Sequence, residues 1–296
     1  SVDVLGGDLL QPQRVDHAWE LMMAAPGVQV TQFKMGTDAG RFSFRGFNGE
    51  GRVNAVKLLI DGVPSNDNAG GMPYLDAVFP LDISAIEIVR GTNDARHGLH
   101  AIAGAVDVLT RQGGNDGQIS VTAGSFGTRD VQLAKGVERG AWSQNYFIGW
   151  RGSEGEREHA DGIQRSFSGK WFYTDPGDRW RAGLSTRYYR NRALEAGYLS
   201  HAEVVADPRH SPAYARDDRS ERETRQSALH ADGTLGNDWQ WTAKAYQNDY
   251  RNQRWVTFTA GGAQQERFND ETHRGLILAT TWRPMTGLAE FVLDAG

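Results

Sequence analysis

The chain of 296 residues has no cysteine, only 9 prolines, and no apolar run approaching the ~18 residues that a membrane-spanning helix needs. Without cysteine there is no disulfide framework, no thiolate-held zinc and no thiol nucleophile. Without a long apolar run a helical membrane protein is excluded. A membrane β-barrel is not, because its lipid-facing and lumen-facing residues alternate and hide the hydropathy signal. Cations are in deficit: 32 Lys and Arg against 37 Asp and Glu leave a formal charge of −5, so no general electrostatic case exists for nucleic-acid binding. Ser1-Val2-Asp3 lacks the basic and apolar segments of a secretion signal, which reads as a cytoplasmic protein or a processed N-terminus. What the chain has in quantity is glycine (36) and aromatics (9 Trp, 9 Tyr, 12 Phe).

Two textures meet near residue 113. In the first part a helix is expected over Pro12–Ala25, with Val15, Ala18, Trp19, Met22 and Met23 on one face and Pro26-Gly27 as its stop. Short strands follow at Val28–Gln32, Arg41–Arg45, Val56–Ile60, Ala85–Val89 and Ala105–Thr110, the pattern of a small α+β domain. The turn formers of Gln112–Gly117 mark the boundary, giving domains 1–112 and 113–296.

Beyond it come longer strands of strict period two: Trp142–Arg151, Ser166–Tyr173, Arg179–Tyr189 and Trp239–Tyr250, with Gln144 as an exception on an otherwise aromatic and apolar face. A soluble sandwich packs such a face on a second sheet, whereas a membrane barrel turns it to lipid and gathers aromatics at two interfaces. Trp142, Trp150, Tyr173, Trp180, Tyr188, Trp239, Trp241 and Trp282 fall near strand ends, which favours the barrel. Connection lengths agree. Short turns at 138–140, 175–178, 235–238 and 284–287 alternate with long polar connections at 153–163, 191–223 and about 252–272, so that all short turns fall at one end.

The first domain resembles the plug of TonB-dependent outer-membrane receptors, and the strands after it resemble the start of their barrel. The resemblance is carried by Ala25-Pro26-Gly27-Val28, Phe42-Ser43-Phe44-Arg45-Gly46, Leu58-Leu59-Ile60-Asp61-Gly62-Val63-Pro64, Ile86-Glu87-Ile88-Val89-Arg90-Gly91, His97-Gly98 and Ala101–Arg111. It implies a mainly β fold, a small α+β plug followed by antiparallel transmembrane strands of a 22-stranded barrel. About nine strands are expected in 113–296, too few to close a barrel, and no TonB box is visible near Ser1, so the chain reads as part of a longer receptor that would not transport by itself.

The implied activity is energy-dependent import of a scarce nutrient, a ferric siderophore or related metal chelate first, with cobalamin, haem or an oligosaccharide as alternatives. The implied partners are a TonB-type periplasmic protein driven by the proton gradient and the outer membrane of a Gram-negative bacterium, with no nucleic acid and no covalent chemistry. A soluble β-rich glycan-binding protein or glycan hydrolase is the competing class; it would require paired catalytic carboxylates that the sequence does not place.

By the same resemblance Arg45 and Arg90, each before a glycine, are expected to hold the plug by pairing with barrel glutamates on later strands. Two plug loops are expected to face cargo: Phe33, Lys34, Met35 and Asp38 in one, Asn66, Asp67, Asn68, Met72 and Tyr74 in the other. Gly46, Gly62, Gly91, Gly98 and Gly104 are assigned to backbone needs. No cofactor and no metal site is expected, since neither EF-hand nor HExxH spacing occurs. The acidic segment 191–223 could take Ca²⁺ but reads first as a solvated, mobile external loop, and His97, His100, His201 and His210 are weak haem candidates.

Overall fold

Period-two alternation becomes strand almost everywhere it occurs. The structure, a computed structural model, describes residues 2–10, 13, 15–47, 55–91, 101–283 and 293–295. The first part forms β1 (Val2–Leu5), a single turn α1 (Gly7–Leu10), β2 (Val28–Met35), β3 (Asp38–Phe44), β4 (Val56–Ile60), β5 (Val63–Pro64), β6 (Ile83–Arg90) and β7 (Gly104–Thr110). One sheet has the order β1-β6-β7-β4-β5, with β4 parallel to β7 and the other neighbours antiparallel. β2 and β3 make a separate hairpin.

The expected α-helix over 12–25 is corrected: its regular part is a 3₁₀ helix, Ala18–Ala24, entered from His17 with no side-chain cap. Three residues per turn stack Ala18 on Leu21 and Trp19 on Met22, and all four are buried while Met23 is exposed. They pack on Phe42 and Phe44 and on the inward alternates Val56, Leu58, Ile60, Ile86, Ile88, Val106 and Val108. These side chains form one hydrophobic cluster, each large one contributing about 1.5–3 kcal/mol by its burial.

Among the described residues the second part is an antiparallel meander of nine strands in chain order: β8 (Gly117–Ala123), β9 (Arg129–Arg139), β10 (Trp142–Ser153), β11 (Gly162–Thr174), β12 (Trp180–Leu194), β13 (Arg219–Leu235), β14 (Trp239–Val256), β15 (Gln265–Trp282) and β16 (Leu293–Ala295). A short helix α2 (His201–Ala206) lies between β12 and β13. Short turns fall at one end, as expected; the turn at 284–287 lies outside the described residues. The long connections are shorter than the sequence suggested, because β12 to β15 run on past their apolar stretches into residues polar on both faces.

The two faces of the meander are opposite in character. Outward alternates include Ile119, Val121, Leu133, Ile148, Phe167, Leu184, Leu229, Leu276 and Leu278, all exposed, whereas inward alternates are largely polar and buried against the first domain. This is the reverse of a soluble sandwich. Aromatics ring the short-turn end: Tyr173 lies 5.3 Å from Trp142 and 5.6 Å from Trp180, and Trp239 stacks on Trp282 at 5.5 Å. Trp150 and Tyr188 follow Trp142 and Trp180 on the same faces one apolar stretch later, roughly 26 Å along the strand, or about 20 Å when tilted. Gln144 is not a defect in that face: it accepts from Tyr146 Oη at 2.7 Å, which accepts from Trp171 Nε1 at 2.9 Å. The outward polar atoms thus satisfy one another.

Candidate functional site

The two predicted loops converge at the long-loop end of the sheet. The β2–β3 turn carries Gly36 at φ 57° and is pinned to the wall by Thr37, whose amide donates to Ser220 Oγ at 2.9 Å. The 65–74 loop is built by Asn66. Its Oδ1 accepts from the Leu58 amide at 2.9 Å, and its Nδ2 donates to the carbonyls of Val56 and Gly70 at 3.1 and 3.2 Å. Asp67 closes the loop by accepting from the Gly71 amide at 2.6 Å. Burial is the main reason that the Asp67 carboxyl is pushed above its ordinary value.

Between the loops and the wall lies a cleft of about 390 Å³. Of the residues expected to face cargo, Phe33, Met35, Asp67 and Met72 line it. Three others do not line it. Asn66 is buried with its amide oxygen and nitrogen spent on β4 and on Gly70 of its own loop. Tyr74 is buried beneath, its ring 6.3 Å from Tyr250. Asn68 is exposed, but its backbone N–H is taken by Glu271 at 3.0 Å. Lys34 and Asp38 lie in β2 and β3, and their side chains fall outside the described residues, as do Gly98, His97 and His100 entirely. The sequence reading missed Arg41, Phe42, Asp76, Arg222, Tyr250 and Asn252, which also line it. Arg41 sits 4.6 Å over the Phe33 ring. Arg222, Tyr250 and Asn252 were findable as inward alternates of β13 and β14.

The later-strand glutamates expected to pair with Arg45 and Arg90 are not among the described residues, and the first domain is fastened to this part of the wall by other pairs. Arg90 pairs with Asp3 of β1 and donates to the Pro26 carbonyl at 2.6 Å, a bond within its own domain. Arg45 is exposed, at φ 55°, with its guanidinium over Gly91. Among the described residues the buried ion pairs between the two parts have the opposite polarity, with carboxylates on the first domain and cations on the wall. Arg187 holds Asp82 at 2.7 Å, Lys170 holds Asp61 at 2.9 Å, and Arg222 holds Asp76 at 2.7 Å, all at least nine-tenths buried.

Asp61 is the node of this set. Its carboxylate accepts from the Thr110 amide and hydroxyl at 2.9 and 2.8 Å, while Arg187 donates to Thr110 Oγ1 at 3.1 Å. Burial opposes its charge; Lys170 and Arg187 outweigh that and hold its carboxyl below the ordinary range. The neighbouring Asp107 accepts from the Gly62 amide at 3.1 Å, and burial pushes its carboxyl up to about 6.

Gly46, Gly62, Gly91 and Gly104 all have positive φ. One is also a steric necessity: a Cβ on Gly104 would lie 2.1 Å from the Val89 carbonyl, whereas one on Gly62 would displace only the flexible end of Lys244, which donates to the Asp61 carbonyl at 2.9 Å.

The connection between β12 and β13 is solvated as expected, with residues 201–209 exposed, and it has a defined fold. Arg157 donates to the carbonyls of Gly197, Ala196 and His210 at 2.7, 2.9 and 2.8 Å, and α2 has a capping box between Ser200 and Glu203. Its acidic side chains already have protein partners. Glu195 forms a bidentate pair with Arg254, Asp218 accepts from the Thr257 amide and hydroxyl, and Glu221 pairs with Arg190 and Arg192. Among the described residues no cluster of three metal-ligating side chains occurs. His201 begins α2, and His210 lies 3.4 Å from Glu158.

Comparison with known proteins gives this geometry its context. Residues 1–105 match the TonB-dependent Receptor Plug Domain family. Vitamin B12 transporter BtuB of Vibrio vulnificus (strain CMCP6) is 26% identical over 136 residues, 45% of this chain and 22% of that protein. The ferric citrate transporter FecA, in its unliganded form, superposes with a TM-score of 0.84 at 18% identity, over 99% of this chain and 46% of the other. The ferric yersiniabactin uptake receptor FyuA from Yersinia pestis gives 0.79 at 16% identity, over 99% and 47%. The chain therefore spans less than half the length of each of these relatives, which are transporters and receptors rather than enzymes. Residues 1–105 thus match a TonB-dependent receptor plug domain, and over nearly its whole length the chain shares the fold of FecA and FyuA.

Proposed function

We propose that the chain belongs to an outer-membrane receptor of a Gram-negative bacterium that imports an iron chelate, the plug closing the lumen until a TonB-type partner in the periplasm rearranges it. One observation carries the reading. Both apical plug loops floor a cleft that opens at the long-loop end and is lined by two guanidinium groups, two carboxylates, two thioethers and three aromatic rings. Guanidinium forks suit the carboxylate or catecholate oxygens of a metal chelate. The outward apolar face supports a bilayer setting, because an exposed apolar surface of that extent is uncommon in a soluble protein. The names of FecA and FyuA concern ferric chelates, which favours this cargo class over the cobalamin in the name of BtuB. Arg45, exposed at the end of a plug strand, is proposed to take a barrel glutamate in the intact receptor.

The test is uptake by the intact receptor in iron-starved cells that lack other siderophore receptors. Accumulation of radioactive iron supplied as a panel of ferric chelates, and its loss on collapsing the proton gradient, is the expected result. Uptake of cyanocobalamin alone, or of no chelate, would reject the iron reading.

A further inference from the structure

The cleft and the plug fastening share a residue. Arg222 of β13 lines the cleft and also grips Asp76 of the plug, with side chains 7% and 9% exposed. The two other buried pairs, Asp82 with Arg187 and Asp61 with Lys170, do not reach the cleft. Asp76 sits in the 3₁₀ turn Leu75–Ala77, within the plug segment most closely stapled to the wall. There the Ala77 carbonyl accepts from Ser166 Oγ at 2.7 Å, the Leu81 amide donates to Gln132 at 3.0 Å, and Asp82 meets Arg187.

We propose that Arg222 is a shared clasp: a carboxylate-bearing cargo entering the cleft takes the guanidinium from Asp76 and so loosens plug residues 74–82 from the barrel wall. The exchange is like for like, since Arg222 already binds a carboxylate and an incoming one offers its fork the same geometry. What changes is the fate of Asp76. A carboxylate left at 9% exposure without its guanidinium is costly, and the segment relieves that cost by moving toward water. A neutral or cationic cargo gains nothing from Arg222 and leaves the clasp shut. Because a ligand shifts an equilibrium only through differential affinity, Arg222 thereby selects for anionic carboxylates and couples their binding to the plug. The inference rests on the cleft being the cargo site.

The test follows backbone hydrogen exchange of residues 74–82 in the intact, detergent-solubilised receptor, with tricarballylate as probe and sodium chloride at equal ionic strength as control. The amides of Leu75, Ala77 and Val78, bonded to the carbonyls of Met72, Tyr74 and Leu75, report the turn. Tricarballylate is expected to speed their exchange about tenfold in the wild type, the equivalent of one lost charge-assisted hydrogen bond. Asp76→Asn should exchange fast without the anion and respond to it no further. Arg222→Lys, which keeps the charge but not the fork, should start near wild type and respond less. No acceleration in the wild type, or equal acceleration in Asp76→Asn, would overturn the clasp. Failure of iron uptake with the exchange response intact would instead reject the import reading and leave the clasp standing.

Discussion

Asp82 is fully buried and shares its Oδ2 between Arg187 at 2.7 Å and Ser168 Oγ at 3.1 Å. Removing one partner of such a pair costs more than the pair contributes, because the remaining charge stays in low dielectric. Arg187→Met is therefore expected to destabilise the plug within the intact receptor by about 3–5 kcal/mol, and Asp82→Asn together with Arg187→Met by clearly less. The urea midpoint of plug unfolding measures both; equal losses in the single and double variants would show that the two side chains do not act as a pair. Arg90 sits differently. It is partly exposed and bonded to Asp3 of β1, so Arg90→Ala should raise hydrogen exchange in β1 while leaving the β11 and β12 contacts intact. Faster exchange at Thr110 in that variant would contradict this local role.

At the scale of elements, much of the architecture was legible, and its gaps have physical causes. Val56–Ile60 and the turn at Gly140 were readable because period two and a turn former are local signals. The far ends of β12 to β15 were not, since beyond the apolar band the residues are polar on both faces, and buried polar alternates such as Ser220, Arg222 and Thr224 leave no hydropathy alternation to read. The 3₁₀ helix was misread because apolar residues three apart suit either helix type. Phe33 and Met72 were found through their loops. Arg222 lies about 150 residues away in sequence, and only its inward register on β13 brings it to them. That register also makes a prediction. Leu229 faces outward, 60% exposed, one residue from inward His230. In a bilayer Leu229→Arg should cost about 2–4 kcal/mol. Folding yield and urea stability of the intact receptor in liposomes would report it, and an unchanged midpoint would argue that this face does not meet hydrocarbon.

For the molecule as a whole, acid acts on the plug through groups that oppose one another. Burial pushes Asp107 up to about 6 from an ordinary 3.8, so between those values the folded plug holds a proton that the unfolded chain has lost. That contribution to stability is present at the acid side and is lost as pH rises through about 6. Asp67, also raised, acts in the same direction. His17 acts the other way. Burial first, then the nearby Arg151, lowers it from 6.5 to about 4, so the unfolded chain gains its proton first and stability is lost as pH falls below 6.5. Asp61 adds a second loss further into acid, as pH drops through a folded value below the ordinary one. Each of these groups changes the slope by at most about 1.4 kcal/mol per pH unit. Asp107 and His17 span nearly the same interval with opposite sign, so plug stability in the intact receptor should be close to level between pH 4 and 6. The cancellation is exposed by single variants. Asp107→Asn should make stability climb with pH across that window, and His17→Gln should make it fall. Urea midpoints measured in half-unit steps decide the matter: two variants tilting the same way, or neither tilting, would mean that the plug does not hold these two groups in the protonation states its packing dictates.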